Sequence, residues 1–387
     1  MTLPNLKIAR RSEVAPFLAM DVLAQASRLA AAGRDVLHLE VGEPGEGPPR
    51  HVLEVAAEAV RNERLGYTEA LGIQPLRQAL AERYRRLEAL TVEPERILVT
   101  VGASGAFVLA FLAAFDPGDR VIVPEPAFPA YRNVLQALGI EVVRLELGQA
   151  TGFRPTPELL DAVPGPLHGL VVASPANPTG TMLSGAEIAA IAGWCRTRRV
   201  RLVSDEIYHG LSFGKPTVSA LAHAPNAIVI NGFSKYFCMT GWRIGWMVAP
   251  PDLVRPIERL AQNLYISAPA LAQHAALAAL DAGDELDRRI ERYRANRDRL
   301  IDRLVPAGLD RFAPPDGAFY LYVDTSHVDR SSTALCRRLL EDTGVALTPG
   351  ADFDRVRGES FVRLAFCGPG EDVDEAGRRL AAWLRAR

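Results

Sequence analysis

The stretch "AIVINGFSKYFCMTGWRIGWMVA", residues 227–249, contains two short apolar runs, 227–231 and 244–249, on either side of a loop that carries Lys235. Five runs of the same kind come before it, and helical patterns lie between them near 103–115, 129–138 and 184–199. The five earlier runs are 97–101, 120–124, 141–145, 169–174 and 200–205. Nearly continuous apolar strands that alternate with helices are typical of a parallel sheet covered on both faces. The sequence therefore predicts an α/β fold with a mainly parallel, seven-stranded sheet flanked by helices.

The pattern changes after about residue 250. Long helices are predicted at 266–281 and 283–305, followed by a turn-rich join at 313–319. The tail then predicts a smaller α+β unit, with strands near 319–323, 345–348 and 360–366 and helices near 331–342 and 370–385. We expect the Pro- and Gly-dense N-terminal segment to pack with this tail. The predicted domains are a large one, 46–310, and a small one formed by 1–45, which includes an N-terminal arm, and 311–387.

Composition excludes several classes of protein. The 387 residues are 48% apolar and 23% charged, with a net charge of −2, so no general field would attract nucleic acid or an anionic membrane. The start has no apolar core of signal-peptide length, and the most apolar window, 105–115, is too short to span a bilayer. Four scattered cysteines and seven scattered histidines indicate no metal site and favour a reducing cytoplasm.

Lys235 is unusual because the chain has 41 arginines but only three lysines. An arginine would supply a positive charge equally well, but it cannot be deprotonated in a protein. A lysine amine in a partly desolvated site can become neutral and form a Schiff base with an aldehyde or ketone. The simpler interpretation is a surface lysine, and this feature alone does not decide between the two.

Other polar residues follow predicted strands, where an α/β sheet collects its ligands. These are "GASGA" at 102–106, Asn177 in "PANPTG", Asp205 and Tyr208 in "DEIY", and Arg243 in "TGWRIG". The simpler interpretations are ordinary turns for the first two, an exposed loop acid for Asp205 and a core residue for Tyr208. Together they supply an anion site at a helix N-terminus, an amide, a carboxylate, a phenol and a phosphate ligand. With Lys235, these are the groups needed to hold pyridoxal 5′-phosphate (PLP).

The chain resembles the class I/II aminotransferases, a family of PLP-dependent enzymes of fold-type I that includes aspartate aminotransferase. Four motifs carry the resemblance: "SPANPTG", "SDEIY", "FSKYFCMTGWRIG" and "FVRLAF". The residues that match in order and spacing are Asn177, Asp205, Tyr208, Lys235, Arg243 and Arg363. The resemblance extends over nearly the whole chain.

The resemblance implies a role for each matched position. Lys235 would bind PLP as a Schiff base and later move the proton at the substrate Cα. Asp205 would pair with the pyridine nitrogen, while Tyr208 and Asn177 would bond the phenolic oxygen. The remaining expectations are that Phe128 stacks on the ring, that Ala103, Ser104 and Arg243 bind the phosphate, that Arg363 binds the substrate α-carboxylate beside Gly42, and that Tyr67 reaches the partner's phosphate in a homodimer.

Two positions depart from the family pattern. Gly232 stands where the family often has a serine that binds the phosphate, and "GEPGE" replaces the usual "GEPDF" near the substrate. The first departure should weaken phosphate binding slightly, and the second leaves the substrate pocket open to question.

The resemblance implies transamination between an amino acid and a 2-oxo acid. The same scaffold also hosts C–S β-eliminating lyases, and an aspartate-type aminotransferase is a further alternative. Aspartate would need a second cation, for which Arg10 and Arg11 are candidates. The apolar segment 14–20, with Phe17, Leu18 and Met20, instead favours an aromatic or aliphatic donor with 2-oxoglutarate or pyruvate as acceptor.

Overall fold

The computed structural model describes residues 6–386; residues 1–5 and 387, which belong to the predicted small domain, lie outside the described residues. The strands in chain order are β1 Leu37–His38, β2 Ile97–Thr100, β3 Arg120–Glu125, β4 Glu141–Glu146, β5 Gly169–Ala173, β6 Arg201–Asp205, β7 Ile228–Gly232, β8 Gly245–Val248, β9 Tyr320–Asp324, β10 Val345–Ala346, β11 Thr348–Pro349 and β12 Phe361–Ala365. The α-helices are α1 Leu18–Ala31, α2 Arg50–Asn62, α3 Gln74–Glu88, α4 Gly102–Ala114, α5 Ala130–Ala137, α6 Pro157–Asp161, α7 Gly185–Arg198, α8 Pro251–Leu264, α9 Ala270–Ala279, α10 Gly283–Leu304, α11 Ser332–Thr343 and α12 Gly370–Arg385.

Seven strands form the central sheet in the order β2-β8-β7-β6-β5-β3-β4. Strand β8 pairs antiparallel with both β2 and β7, and the other pairings are parallel. The apolar strands are buried on both faces, with α3, α7 and α9 contributing to the core on one side and α4, α5 and α8 on the other. The predicted mainly parallel, seven-stranded sheet is confirmed, and it brings the carboxyl ends of six strands to one edge.

A second sheet, β11-β12-β9, is antiparallel and shares a core with α10, α11 and α12. Strand β1 pairs in parallel with β10, so the N-terminal segment packs with the tail as expected. The domain boundaries at residues 46 and 310 stay a prediction.

Helix α8 was not predicted from the sequence. Pro251 occupies its first turn, where a missing N–H costs nothing, but Pro256 lies inside it and removes one helical hydrogen bond. The helix forms because Leu253, Ile257 and Ala261 bury one face against the sheet. Helices α1 and α2, which precede the first predicted strand, were also missed.

Among residues 6–386, no helix is long and apolar enough to cross a membrane. The same residues contain no group of three or more His, Cys, Asp or Glu side chains placed to hold a metal ion. The four cysteines are free and buried. A cytoplasmic location stays a prediction.

Candidate active site

A cavity of about 210 Å³ opens at the carboxyl edge of the central sheet. Every residue to which the family resemblance assigned a role lines it, except Tyr67; of the further substrate candidates Phe17 and Met20 line it, whereas Leu18, Arg10 and Arg11 do not. The predicted residues that line the cavity are Phe17, Met20, Gly42, Ala103, Ser104, Phe128, Asn177, Asp205, Tyr208, Lys235, Arg243 and Arg363. They come from both ends of the chain and from the loops after β2, β3, β5, β6 and β7, which meet because these strands are parallel.

Lys235 lies in the loop after β7, and its Nζ donates a hydrogen bond to the Gly42 carbonyl at 2.7 Å. Burial lowers the pKa of Lys235 to about 8, and the positive charges of Arg363 and Arg243 add to the lowering. An amine with this pKa is neutral in an appreciable fraction of molecules near pH 7, so it can act as a nucleophile.

Asp205 ends β6 and is buried, with 4% of its surface exposed. Its Oδ1 accepts the Ile207 backbone N–H at 3.0 Å, and its Oδ2 accepts the Tyr131 hydroxyl. Burial raises the pKa of Asp205 to about 6, although these hydrogen bonds and the charge of Lys235 oppose the shift. The site therefore holds an oriented carboxylate that can pair with a protonated ring nitrogen.

Tyr131 was not predicted from the sequence. It lies in the first turn of α5, is 3% exposed, and packs edge-on against Phe128 with ring centroids 5.6 Å apart. Its only sequence signal is the spacing of three residues from Phe128, which is equally typical of a core tyrosine. In the fold it orients both the carboxylate and the aromatic ring.

The predicted anion site is built from the N-terminus of α4 and Arg243. Ala103 and Ser104 lie in the first turn of that helix, whose free backbone N–H groups favour an anion. Gly102 has φ +67°, and a Cβ there would lie 2.7 Å from Arg243 Nη2. Glycine thus provides both the backbone conformation and the space that let the guanidinium approach the helix end.

Arg363 projects from β12 and is 2% exposed. Its Nη1 donates to Asn177 Oδ1 at 3.0 Å, and its Nη2 donates to Thr348 Oγ1 at 3.1 Å and to the Glu40 carbonyl. Its buried Nε has no hydrogen-bond partner among the described residues. A buried cationic donor without a partner is costly, so this arginine is suited to an anionic ligand.

The start of α1 forms one wall of the cavity. The Asp352 carboxylate accepts the backbone N–H groups of Leu18 and Ala19, each at 3.1 Å, and so fixes this helix end. Phe17 packs edge-on against Phe128 at a centroid distance of 5.7 Å. With Ala19 and Met20, Phe17 gives the cavity an apolar wall.

Tyr67 lies outside the cavity of its own chain, and 83% of its surface is exposed. Arg10 and Arg11 are also exposed and do not line the cavity. Within their own chain, these two arginines therefore do not provide the second cation that a dicarboxylate donor would need.

Comparison with known proteins identifies similar aminotransferases that match nearly the whole chain. The chain is 49% identical over 383 residues to a protein named valine–pyruvate aminotransferase from Mycobacterium tuberculosis, covering 98% of each chain. It superposes on a crystal structure of an aminotransferase from the same organism with a TM-score of 0.97 and 48% identity, covering 99% of this chain and 100% of the other. For aspartate aminotransferase from Thermus thermophilus with maleate, the TM-score is 0.92 and the identity 36%, with 98% and 100% covered.

The family model for "Aminotransferase class I and II" matches residues 34–380. That range contains most of the cavity, from Gly42 to Arg363. Members of this family use PLP to transfer an amino group between an amino acid and a 2-oxo acid. The motifs, the fold and these comparisons agree: the chain belongs to the class I and II aminotransferases and is a PLP-dependent enzyme of that family.

Proposed function

We propose that this aminotransferase takes its amino group from a branched aliphatic amino acid, valine above all, and passes it to pyruvate. The observation that carries the proposal is the composition of the cavity wall. Phe17, Ala19 and Met20 are apolar, and the arginines among the described lining residues are Arg243 and Arg363. Both are needed for the cofactor phosphate and the α-carboxylate. The name of the Mycobacterium tuberculosis relative supports the same substrates.

The residues present fit PLP. When bound, PLP supplies an aldehyde for the amino group and a ring that stabilises negative charge at the substrate Cα. Lys235, with its lowered pKa, would provide the amine that holds the aldehyde and the group that moves the Cα proton. Asp205 would keep the ring nitrogen protonated, and the buried Nε of Arg363, which has no partner among the described residues, would donate to an anion.

The remaining side chains of the site would bind and orient the cofactor and the substrate. Tyr208 and Asn177 would donate hydrogen bonds to the phenolic oxygen, and Phe128 would stack on the ring. The N-terminus of α4 and Arg243 would bind the phosphate by charge and backbone N–H groups. Arg363 binds the α-carboxylate beside Gly42, whose carbonyl holds the Lys235 amine at 2.7 Å.

A donor panel tests the substrate. Each amino acid is mixed with the holoenzyme, and the loss of the absorbance of bound PLP is followed. We expect kcat/KM for valine to exceed that for aspartate by at least about 100-fold, because a side-chain carboxylate would be left without a cation in an apolar wall. Aspartate turnover as fast as valine turnover would contradict the proposal and favour an aspartate-type enzyme.

A matched pair of variants locates the preference in the wall. Phe17→Ala should reduce the preference for valine over aspartate, since it removes apolar surface from the wall and enlarges the cavity. Val14→Ala, three residues earlier, changes an exposed residue outside the cavity and should leave the preference unchanged. An equal effect of both would mean that the arm acts in another way.

We also propose that the enzyme is a homodimer in which Tyr67 reaches the partner's phosphate site. Tyr67 belongs to an exposed apolar patch with Leu65, Leu264 and Ile266. The two loops of this patch are held together, since Thr68 N–H donates to Ser267 Oγ at 3.3 Å. An exposed patch of this kind is suited to burial against a second copy.

Sedimentation tests the dimer. We expect twice the chain mass of 42.0 kDa. Tyr67→Phe should keep that mass but weaken PLP binding at least roughly 10-fold, because it removes one hydrogen bond to a charged phosphate. A fully active monomer would contradict the proposal.

A further inference from the structure

Tyr320, on β9, is a buried residue of the cavity that no sequence motif singled out. It lies between Tyr208, on the cofactor side of the site, and Arg363, on the substrate side, and 1% of its surface is exposed. Its hydroxyl contacts the side chain assigned to the cofactor's phenolic oxygen, and its ring contacts the side chain assigned to the substrate carboxylate. These two contacts can be separated by substitution.

The hydroxyl contact is a hydrogen bond of 2.8 Å between Tyr320 and Tyr208. Burial raises the pKa of Tyr320 to about 12 and that of Tyr208 well above its ordinary value, so both phenols keep their protons. A phenol has one proton to donate. If Tyr208 donates its proton to the cofactor, Tyr320 must be the donor in this pair, and its donation polarises the Tyr208 O–H bond and strengthens Tyr208 as a donor.

The ring contact is with Arg363. The guanidinium carbon lies 4.4 Å from the centroid of the Tyr320 ring and 4.7 Å from that of Phe353. The guanidinium is therefore held by two aromatic rings, while its Nη1 and Nη2 donate to Asn177, Thr348 and Glu40. A cation placed this way over aromatic faces is stabilised by the ring quadrupoles.

Gly42 makes room for this arrangement. A Cβ at residue 42 would lie 1.8 Å from the Tyr320 hydroxyl oxygen. The backbone that accepts the Lys235 hydrogen bond therefore passes directly against Tyr320, and a glycine is required there for steric reasons.

We propose that Tyr320 is a positioning residue for the transamination site: its hydroxyl strengthens Tyr208 as donor to the cofactor, and its ring orients Arg363 for the α-carboxylate. The inference rests on the proposed function, which gives Tyr208 and Arg363 these roles.

The hydroxyl part is tested on the holoenzyme by titrating the visible absorbance of bound PLP with pH. Tyr208 stabilises the unprotonated form of the cofactor, so weakening its hydrogen bond moves the spectral transition to higher pH. We expect Tyr208→Phe, which removes the hydrogen bond to the cofactor, to raise the midpoint by about one pH unit or more. Tyr320→Phe only weakens that hydrogen bond, so we expect it to raise the midpoint by about half a pH unit.

A double variant separates direct from transmitted effects. If Tyr320 acts through Tyr208, Tyr320→Phe should cause no further shift in the Tyr208→Phe background. The matched control is Tyr322→Phe, on the same strand, whose buried hydroxyl has no hydrogen-bond partner among the described residues and whose ring stacks on Phe361 outside the cavity. It should leave the midpoint unchanged.

The ring part is tested with Tyr320→Leu. Tyr320→Phe keeps the ring, so it should leave KM for the amino donor within about twofold, whereas Tyr320→Leu removes the ring and should raise KM roughly 3- to 10-fold through the lost cation–π contact. A shift of the spectral midpoint without this split in KM would overturn the ring part.

The outcomes also separate this inference from the proposed function. No shift in Tyr208→Phe would show that Tyr208 does not bond the cofactor, which overturns the proposed role. A shift in Tyr208→Phe with none in Tyr320→Phe, or an equal shift for Tyr320→Phe in both backgrounds, would overturn the inference about Tyr320 alone.

Discussion

Replacing Lys235 with alanine is expected to lower turnover at least about 1,000-fold and to remove the visible absorbance of covalently held PLP, while the protein stays folded. The substitution removes both the amine that would hold PLP and the group that would move the Cα proton. A positioned acid–base group alone typically raises the rate about 100- to 10,000-fold. Absorbance spectra, steady-state turnover and thermal melting measure the three effects.

Two control variants sharpen this test. Lys235→Arg keeps a positive charge but cannot supply a neutral amine, so it should be as inactive as Lys235→Ala. Lys215→Ala removes another of the three lysines, one that is exposed and paired with Asp316 at 2.7 Å, and should leave turnover unchanged. Normal turnover in Lys235→Ala would show that the central assignment is wrong.

Replacing Arg363 with alanine is expected to raise KM for the amino donor at least about 100-fold while the absorbance of bound PLP persists. The guanidinium offers paired, charge-assisted hydrogen bonds to a carboxylate, and each bond to a charged group contributes about 1.5–3 kcal/mol. Steady-state kinetics and a PLP-binding titration on the same variant measure the two effects.

Arg363→Lys is the matched control for charge. It keeps the charge but loses the planar pair of donors, so we expect a KM between those of the wild type and the alanine variant. Equal losses of donor binding and PLP binding in Arg363→Ala would instead mean that this arginine has a structural role.

The central sheet could be predicted because most of its strands are short apolar runs that are buried on both faces; the edge strand β4 is only partly buried. The predicted run 200–205 and the observed β6, Arg201–Asp205, differ by one residue. Helix α8 could not be predicted this way because its apolar residues recur at helical spacing around an internal proline, and burial against the sheet decides its conformation.

The candidate site was predicted to the extent that its residues follow strands or match a motif. Tyr131 and Tyr320 were not predicted as site residues because a tyrosine in an apolar stretch of sequence is as typical of the core as of a site. Their partners, Asp205 and Tyr208, lie 74 and 112 residues away in the chain, so only the folded chain brings the hydroxyls to them. Asp352 escaped for the same reason, since it holds backbone N–H groups more than 300 residues distant.

The anchoring of α1 by Asp352 has a consequence for how this enzyme diverges over time. Asp352 and Arg363 both come from the segment around β11 and β12, whereas Lys235, Asp205 and Arg243 follow or join strands of the large sheet. Under the proposed roles, side-chain choice depends on a helix start that is tied to the small sheet, and proton transfer depends on residues of the large sheet. We therefore expect that related lineages can change residues 14–20, and with them the preferred amino acid, while the residues that transfer the proton stay the same.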